Sequence, residues 1–363
     1  MVDLGKIRHN TGVITRLLHP RGISTAGVVK AVCGMPGVAG AMLAGGAAML
    51  ADSRLENLEK LASFPCPRLL LRLPMASQAE EVVLHSEISL NSEIETLKAL
   101  GRAAGRHKKP HGVLLMLELG DLREGLALER GPSTVEEILK IPELRFLGIG
   151  ANFTCYGGIL PDSENLGALA AMARTLTKKF NLELPWVSGG NSSSLYLLKM
   201  GGLPREINHL RLGEALLLGR ETALGQPVEG AWQDAFTLLA EVVELQDKPS
   251  LPWGERGLDA FGNRPVFQDR GMRKRAILAI GRQDVHPENL TPLDPMAVIL
   301  GASSDHLLLD VTETKAVRGV GDTLAFRPNY GGLLQLMTSP YVQKESFDKG
   351  GDADARQLDA PVP

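Results

Sequence analysis

The sequence predicts an α/β protein: an N-terminal (β/α)8 barrel of TIM type, followed by a small C-terminal all-β domain. Three observations carry this. Apolar runs too short for helices alternate with amphipathic stretches over the first two-thirds of the chain, the pattern of βαβ units around a parallel sheet. There are eight such runs, the count of a closed barrel, which typically takes ~250 residues. From about Phe236 the alternation stops and only strand-like runs continue. An open, doubly wound sheet is the competing topology for the first part. A chain of 363 residues suits two domains at roughly 150 residues each.

The apolar runs occupy residues 23–32, 48–51, 68–73, 83–90, 112–119, 145–152, 184–187 and 207–212. Helical periods fill 36–45, 54–62, 92–105, 134–139, 165–180 and 193–200. The predicted division is a barrel over 1–235 and a β domain over 236–347, with strands at 237–244, 276–280, 297–300, 306–310 and 323–326 and no helix between them. Residues 348–363 are polar and rich in Gly and Pro, the composition of a disordered tail.

Composition narrows the function. Lys and Arg total 39 against 42 Asp and Glu, a balance that leaves no electrostatic footprint for nucleic acid. Only 9 Phe, 4 Tyr and 3 Trp are present, too few for base-stacking platforms. The N-terminus, MVDLGKIRHN, carries charges where a signal peptide is apolar, and no run nears the ~18 apolar residues of a membrane span. Cys33, Cys66 and Cys155 fit no zinc motif. A reducing, cytoplasmic setting follows, with no metal, membrane or nucleic-acid partner expected.

In a barrel, reactive groups sit at the C-terminal strand ends. Those ends read Lys30, Asp52, Ser53, Glu87, Glu118 (with Arg123 just beyond), Asn152, Ser188 and Arg211. Lys30 stands among apolar residues in the run 26–32; burial lowers a lysine pKa and makes its amine a Schiff-base nucleophile. The alternative is an edge lysine reaching solvent. Ser188-Gly189-Gly190-Asn191-Ser192-Ser193 is a Gly-rich turn whose N–H groups suit an anion, or an ordinary capped turn. Arg211-Leu212-Gly213-Glu214 ends the eighth run; Arg211 enters the barrel mouth or forms a structural ion pair.

The order of these features resembles the pyridoxal-phosphate (PLP) racemases of the alanine racemase family, and most closely the ornithine racemase branch. The resemblance covers about residues 1–345. It is carried by residues 28–34, 36–45 and 50–57, and by 326–330 and 337–342 near the C-terminus. It implies that Lys30 binds PLP and that Asn191, Ser192, Gly213 and Glu214 hold its phosphate, with Ser188 nearby and Tyr341 (or Tyr330) joining them. It implies that Arg211 faces the pyridine nitrogen, that Asn152-Phe153 replaces a His-Phe pair under the ring, and that Arg123 meets the substrate carboxylate. Asp305 resembles an aspartate on a loop reaching a partner's site, which implies a homodimer.

Two departures stand out. Gly34 replaces a tyrosine, which is expected to open the pocket for a longer side chain. Arg282, in Gly281-Arg282-Gln283-Asp284, replaces a catalytic tyrosine. Arginine stays protonated and is a poor base, so Asp284 is expected as the second catalytic group, with His286 and Tyr156 as rivals and Arg282 left to the substrate. The resemblance implies an amino-acid racemase acting on ornithine or another basic amino acid, whose side-chain ammonium would pair with Glu87, Glu118, Asp284 or Asp305. The alternatives are a non-catalytic PLP-homeostasis protein and a metal-assisted PLP aldolase of β-hydroxy amino acids.

Overall fold

The computed structural model describes residues 1–348; the expected disordered tail, but for Asp348, lies outside the described residues. The chain divides into two compact units, one of Asp3–Ala235 with Asp348 and one of Met1–Val2 with Phe236–Phe347. Among the described residues no helix is long and apolar enough to cross a membrane.

The first unit is a closed parallel barrel of β1 (Ser24–Val28), β2 (Met49–Asp52), β3 (Arg68–Leu70), β4 (Ile88–Asn91), β5 (His111–Met116), β6 (Leu144–Ala151), β7 (Trp186–Gly189) and β8 (His209–Leu212). β8 closes the ring on β1, with His209 opposite Ser24 and Leu212 opposite Gly27. Alternate side chains of a strand share a face. One face builds the barrel interior from Ala26, Val28, Met49, Ala51, Leu69, Ile88, Leu90, Leu114 and Met116. The open-sheet alternative is therefore set aside.

Several boundaries differ from expectation, each for a physical reason. The first run stops at Val28, and Lys30–Val32 is a 3-10 turn closed by Cys33 in the left-handed region (φ 52°). Lys30 thus opens a turn and is half-buried rather than lying inside a strand. The run 83–90 merges the end of the helix Ala79–His85, which buries Val82 and Val83, with β4. Glu87 consequently precedes its strand and sits at the foot of the barrel. The helix Leu4–Leu18 escapes the apolar pattern because its buried face includes Asn10 and Thr11. Asn10 donates to the Leu216 and Trp232 carbonyls.

The second unit is an antiparallel sheet of β9 (Leu238–Pro249), β10 (Met272–Leu278), β11 (Leu290–Pro292), β12 (Val298–Ala302), β13 (Leu307–Asp310) and β14 (Thr323–Pro328). The spatial order is β11-β14-β9-β10-β13-β12, and its core includes Val242, Leu278, Leu309 and Phe326. β11 was not foreseen, nor was the helix Tyr330–Thr338 that follows the last strand, capped by Asn329 accepting from the Gly332 N–H.

Candidate active site

Polar side chains gather at the C-terminal ends of β1, β6, β7 and β8. Lys30 follows β1. Across the strand pair, Asp52 ends β2 fully buried; Oδ1 accepts from Asn57 Nδ2 at 3.1 Å and from the Arg54 N–H at 2.9 Å. Burial pushes the Asp52 carboxyl up, while Asn57 and, least of the causes, the Lys30 charge pull it back. Gly34 (φ 65°) follows the Lys30 turn, and a Cβ there would lie 2.8 Å from Asn57 Cβ and 2.9 Å from its carbonyl oxygen. Its missing side chain seats the turn against Asn57.

The turn after β7 is built from its own hydrogen bonds. Asn191 Oδ1 accepts from the Ser193 N–H at 2.8 Å, and Asn191 Nδ2 donates to the Phe153 carbonyl at 2.8 Å. Ser192 Oγ accepts from the Ala215 N–H at 3.1 Å, joining this turn to the Gly213-Glu214 segment after β8. Ser193 Oγ is buried with no partner. Burial raises the Glu214 carboxyl to about 7, against the charge of Arg220 and with that of Glu221.

Arg211 is 4% exposed. Its Nη1 donates to Ser188 Oγ and its Nη2 to the Ala151 carbonyl at 2.7 Å. Burial holds the guanidinium down to about 10, still a cation at neutral pH. No carboxylate pairs with it among the described residues, which removes the structural ion pair from consideration. A buried cation without a contacting counter-charge is costly; the Glu124 charge acts on it from further off and partly offsets the burial.

The wall between β5 and β6 carries Arg123 and Asn152. Arg123 pairs with Glu124 and its guanidinium comes within 2.7 Å of the Asn152 amide. Asn152 meets Asn191 Nδ2 at 3.2 Å, and Phe153 beneath is fully buried. Sequence reasoning missed what ties this wall together: buried Asp121 accepts from the N–H groups of Cys155, Tyr156 and Gly157. It also missed the pairing of Ser188 with His209. Neither contact has a local sequence signal, because each joins segments more than 20 residues apart.

The other expected residues lie elsewhere. Glu87 is bound at the foot of the barrel by Arg68 and Lys109 and is withdrawn as a substrate contact. Glu118 does stand after β5, where it accepts from the Gly120 and Leu122 N–H groups. Asp284, Arg282, Asp305 and Tyr341 belong to the second unit. Asp284 accepts from Ser339 Oγ at 2.6 Å, and Asp305 from Gln283 Nε2 at 2.8 Å. Arg282 stacks on Phe261 at 4.8 Å. Tyr341 is exposed and, with Asp284, lines a cleft of about 500 Å³.

An amine, a buried guanidinium without a contacting carboxylate and a hydroxyl-rich turn share one barrel mouth, a set of groups that suits an anionic ligand. Residues 2–221 match the family described as alanine racemase, N-terminal domain. The chain is 48% identical over 345 residues to the ornithine racemase of Acetoanaerobium sticklandii, covering 95% of this chain and 98% of that protein. It is 40% identical over 346 residues to the lysine racemase of Thermotoga maritima, covering 95% and 97%. An alanine racemase from Bartonella henselae, solved with covalently bound pyridoxal phosphate, has the same fold: TM-score 0.72 at 18% identity, over 95% of this chain and 98% of that one. The chain belongs to the alanine racemase family.

PLP fits the groups present. Lys30 offers the amine for its carbonyl carbon. Ser192, the Ser193 hydroxyl (unpartnered among the described residues) and the Gly190 turn (φ 106°) suit its phosphate, and the Arg211 guanidinium is a donor that suits its ring nitrogen.

Proposed function

We propose that this protein is a PLP-dependent racemase of basic amino acids, ornithine or lysine first. The observation that carries the reading is Arg211, a buried cation with no contacting carboxylate among the described residues, on the same barrel mouth as Lys30 and the Ser192 turn. When bound, PLP withdraws electrons from the substrate α-carbon and makes its proton removable. Lys30 would hold the cofactor through Nζ, and its amine would move the α-proton on one face. Asn191, Ser192 and the Gly213-Glu214 backbone grip the phosphate, with Ser188 below. Arg211, charged at neutral pH, would disfavour a proton on the cofactor's ring nitrogen, which would limit transamination and favour proton exchange. Asn152 and Phe153 support the ring, and Arg123 orients the substrate carboxylate.

On the other face we place Asp284 as the second proton carrier, with Arg282 and Asp305 toward the substrate and Tyr341 toward the phosphate. This reading takes the active form to be a homodimer and its setting to be the cytoplasm. The identity to two racemases of basic amino acids along nearly the whole chain supports this reading over a PLP-homeostasis protein or an aldolase. Purified protein incubated with PLP, a chelator and L-ornithine, L-lysine or L-alanine, then resolved by chiral chromatography, should give the D-isomers of the basic substrates fastest. Failure to convert either basic amino acid overturns the proposal.

A further inference from the structure

We infer that Ser188 and His209 form a positioning relay beneath Arg211: the imidazole fixes the serine hydroxyl, and the hydroxyl fixes the guanidinium that faces the cofactor. This rests on the function proposed above and extends it to two side chains that take no part in the proton transfers.

The backbone brings the three residues together. His209 and Arg211 are two apart on β8 and so share its inner face, and Ser188 of β7 lies directly opposite His209 in the strand register. Ser188 Oγ lies 2.8 Å from His209 Nδ1 and also meets Arg211 Nη1. A guanidinium can only donate, so the serine oxygen accepts from it. The hydroxyl hydrogen is then directed to Nδ1, the other neighbour. That makes Nδ1 the acceptor and places the ring proton on Nε2. The direction of the relay is set throughout: Arg211 to Ser188 to His209.

The imidazole is suited to this task and to little else. It is fully buried and stacked on Trp186, with centroids 5.4 Å apart and planes 27° apart, so it cannot swing away. Burial, with the Arg211 charge acting in the same sense, holds it down to about 3, neutral at any working pH. Among the described residues its Nε2 has no partner. A buried, unsatisfied N–H lowers stability, and a phenylalanine would fill the same space against Trp186 without that penalty. What phenylalanine lacks is the Nδ1 acceptor, and that acceptor is what the histidine contributes.

The test compares His209→Phe, Ser188→Ala, the double variant and His209→Asn, each as the PLP-loaded protein. The readouts are the racemisation rate, the ratio of transamination to racemisation, the visible spectrum of bound cofactor and the cofactor dissociation constant. A small misplacement of a positioned group costs catalysis heavily. His209→Phe and Ser188→Ala should therefore each lower racemisation roughly tenfold, raise the share of transamination and shift the visible band. The double variant should be no worse than either single one, because both break one chain of contacts. His209→Asn, whose amide oxygen can occupy the place of Nδ1, should recover most of the loss. A loaded, folded His209→Phe with the wild-type spectrum and partition overturns the inference, as does additivity in the double variant. If His209→Phe does not fold, Ser188→Ala decides by the same readouts. Wild-type protein that loads no PLP refutes the proposed function itself, whereas loaded wild type with indifferent variants refutes the relay alone.

Discussion

At the two ends of the barrel, arginines are held in opposite ways. At the foot, Arg68 meets Glu87 through Nε at 3.2 Å and Nη2 at 2.9 Å, and Lys109 adds a contact at 3.3 Å. At the mouth, Arg211 meets a hydroxyl and a backbone carbonyl and, among the described residues, no carboxylate, the Glu124 charge reaching it only from further off. The foot closes its charges among themselves, which serves stability. The mouth leaves one without a contacting carboxylate, which is what the proposed site asks of it. In barrels, polar groups at the lower face read as structure and those at the upper face as function.

The strongest way to break the comparison is at Lys30. Lys30→Ala should cost more than ~10³-fold in racemisation while the thermal midpoint stays within a few degrees of wild type, as befits a half-buried side chain at a ligand site. Borohydride reduction of wild type and peptide mapping should find the cofactor on Lys30; label on another lysine rejects the assignment.

Arg211→Glu comes next. Reversing the charge favours a protonated ring nitrogen, and we expect roughly a 10²-fold loss of racemisation with more transamination per turnover. Cofactor occupancy must be measured alongside, since loss of PLP alone also lowers the rate. A loaded variant with wild-type partitioning would show that Arg211 does not face the ring.

The smallest effect belongs to the foot. Burial alone would raise the Glu87 carboxyl, but hydrogen bonds and charge from Arg68 outweigh it and hold the group below the usual carboxylate range. A carboxyl depressed in the folded state stabilises above its unfolded value, near 4.3, and that contribution fades as pH falls through the folded value. Glu87→Gln should therefore lose about 1 kcal/mol at pH 7, an amount reduced by solvent screening. The gap to wild type should close below about pH 4, with racemisation unchanged. Denaturant titrations at the two pH values test this, and a gap that persists in acid would count against the pairing.

What was legible in the sequence follows the same division. The barrel strands announced themselves as apolar runs because a parallel strand is covered on both faces. Lys30, Ser188 and Arg211 were read as polar residues at the ends of such runs, and Ser192 from the Gly-rich turn that follows one. The Leu4–Leu18 helix was not, because Asn10 and Thr11 on its buried face broke the apolar period. Glu87 was misplaced because Val82 and Val83 of a helix ran on into the apolar β4, and no signal marked where one ended. The helix Tyr330–Thr338 was hidden by Gly331 and Gly332. Gly332 lies so near Asn289 that a Cβ would approach its carbonyl oxygen to 2.7 Å. The Ser188–His209 contact needed the register of two strands, which no single run records.

Asp121 carries one more consequence. Its carboxylate and carbonyl together hold three successive N–H groups of the loop after β6, from a position in the loop after β5. Arg123 and Asn152 therefore ride on a single braced wall. A mutation that resizes either loop must carry the other with it, so single changes there are poor starting points for a new substrate preference.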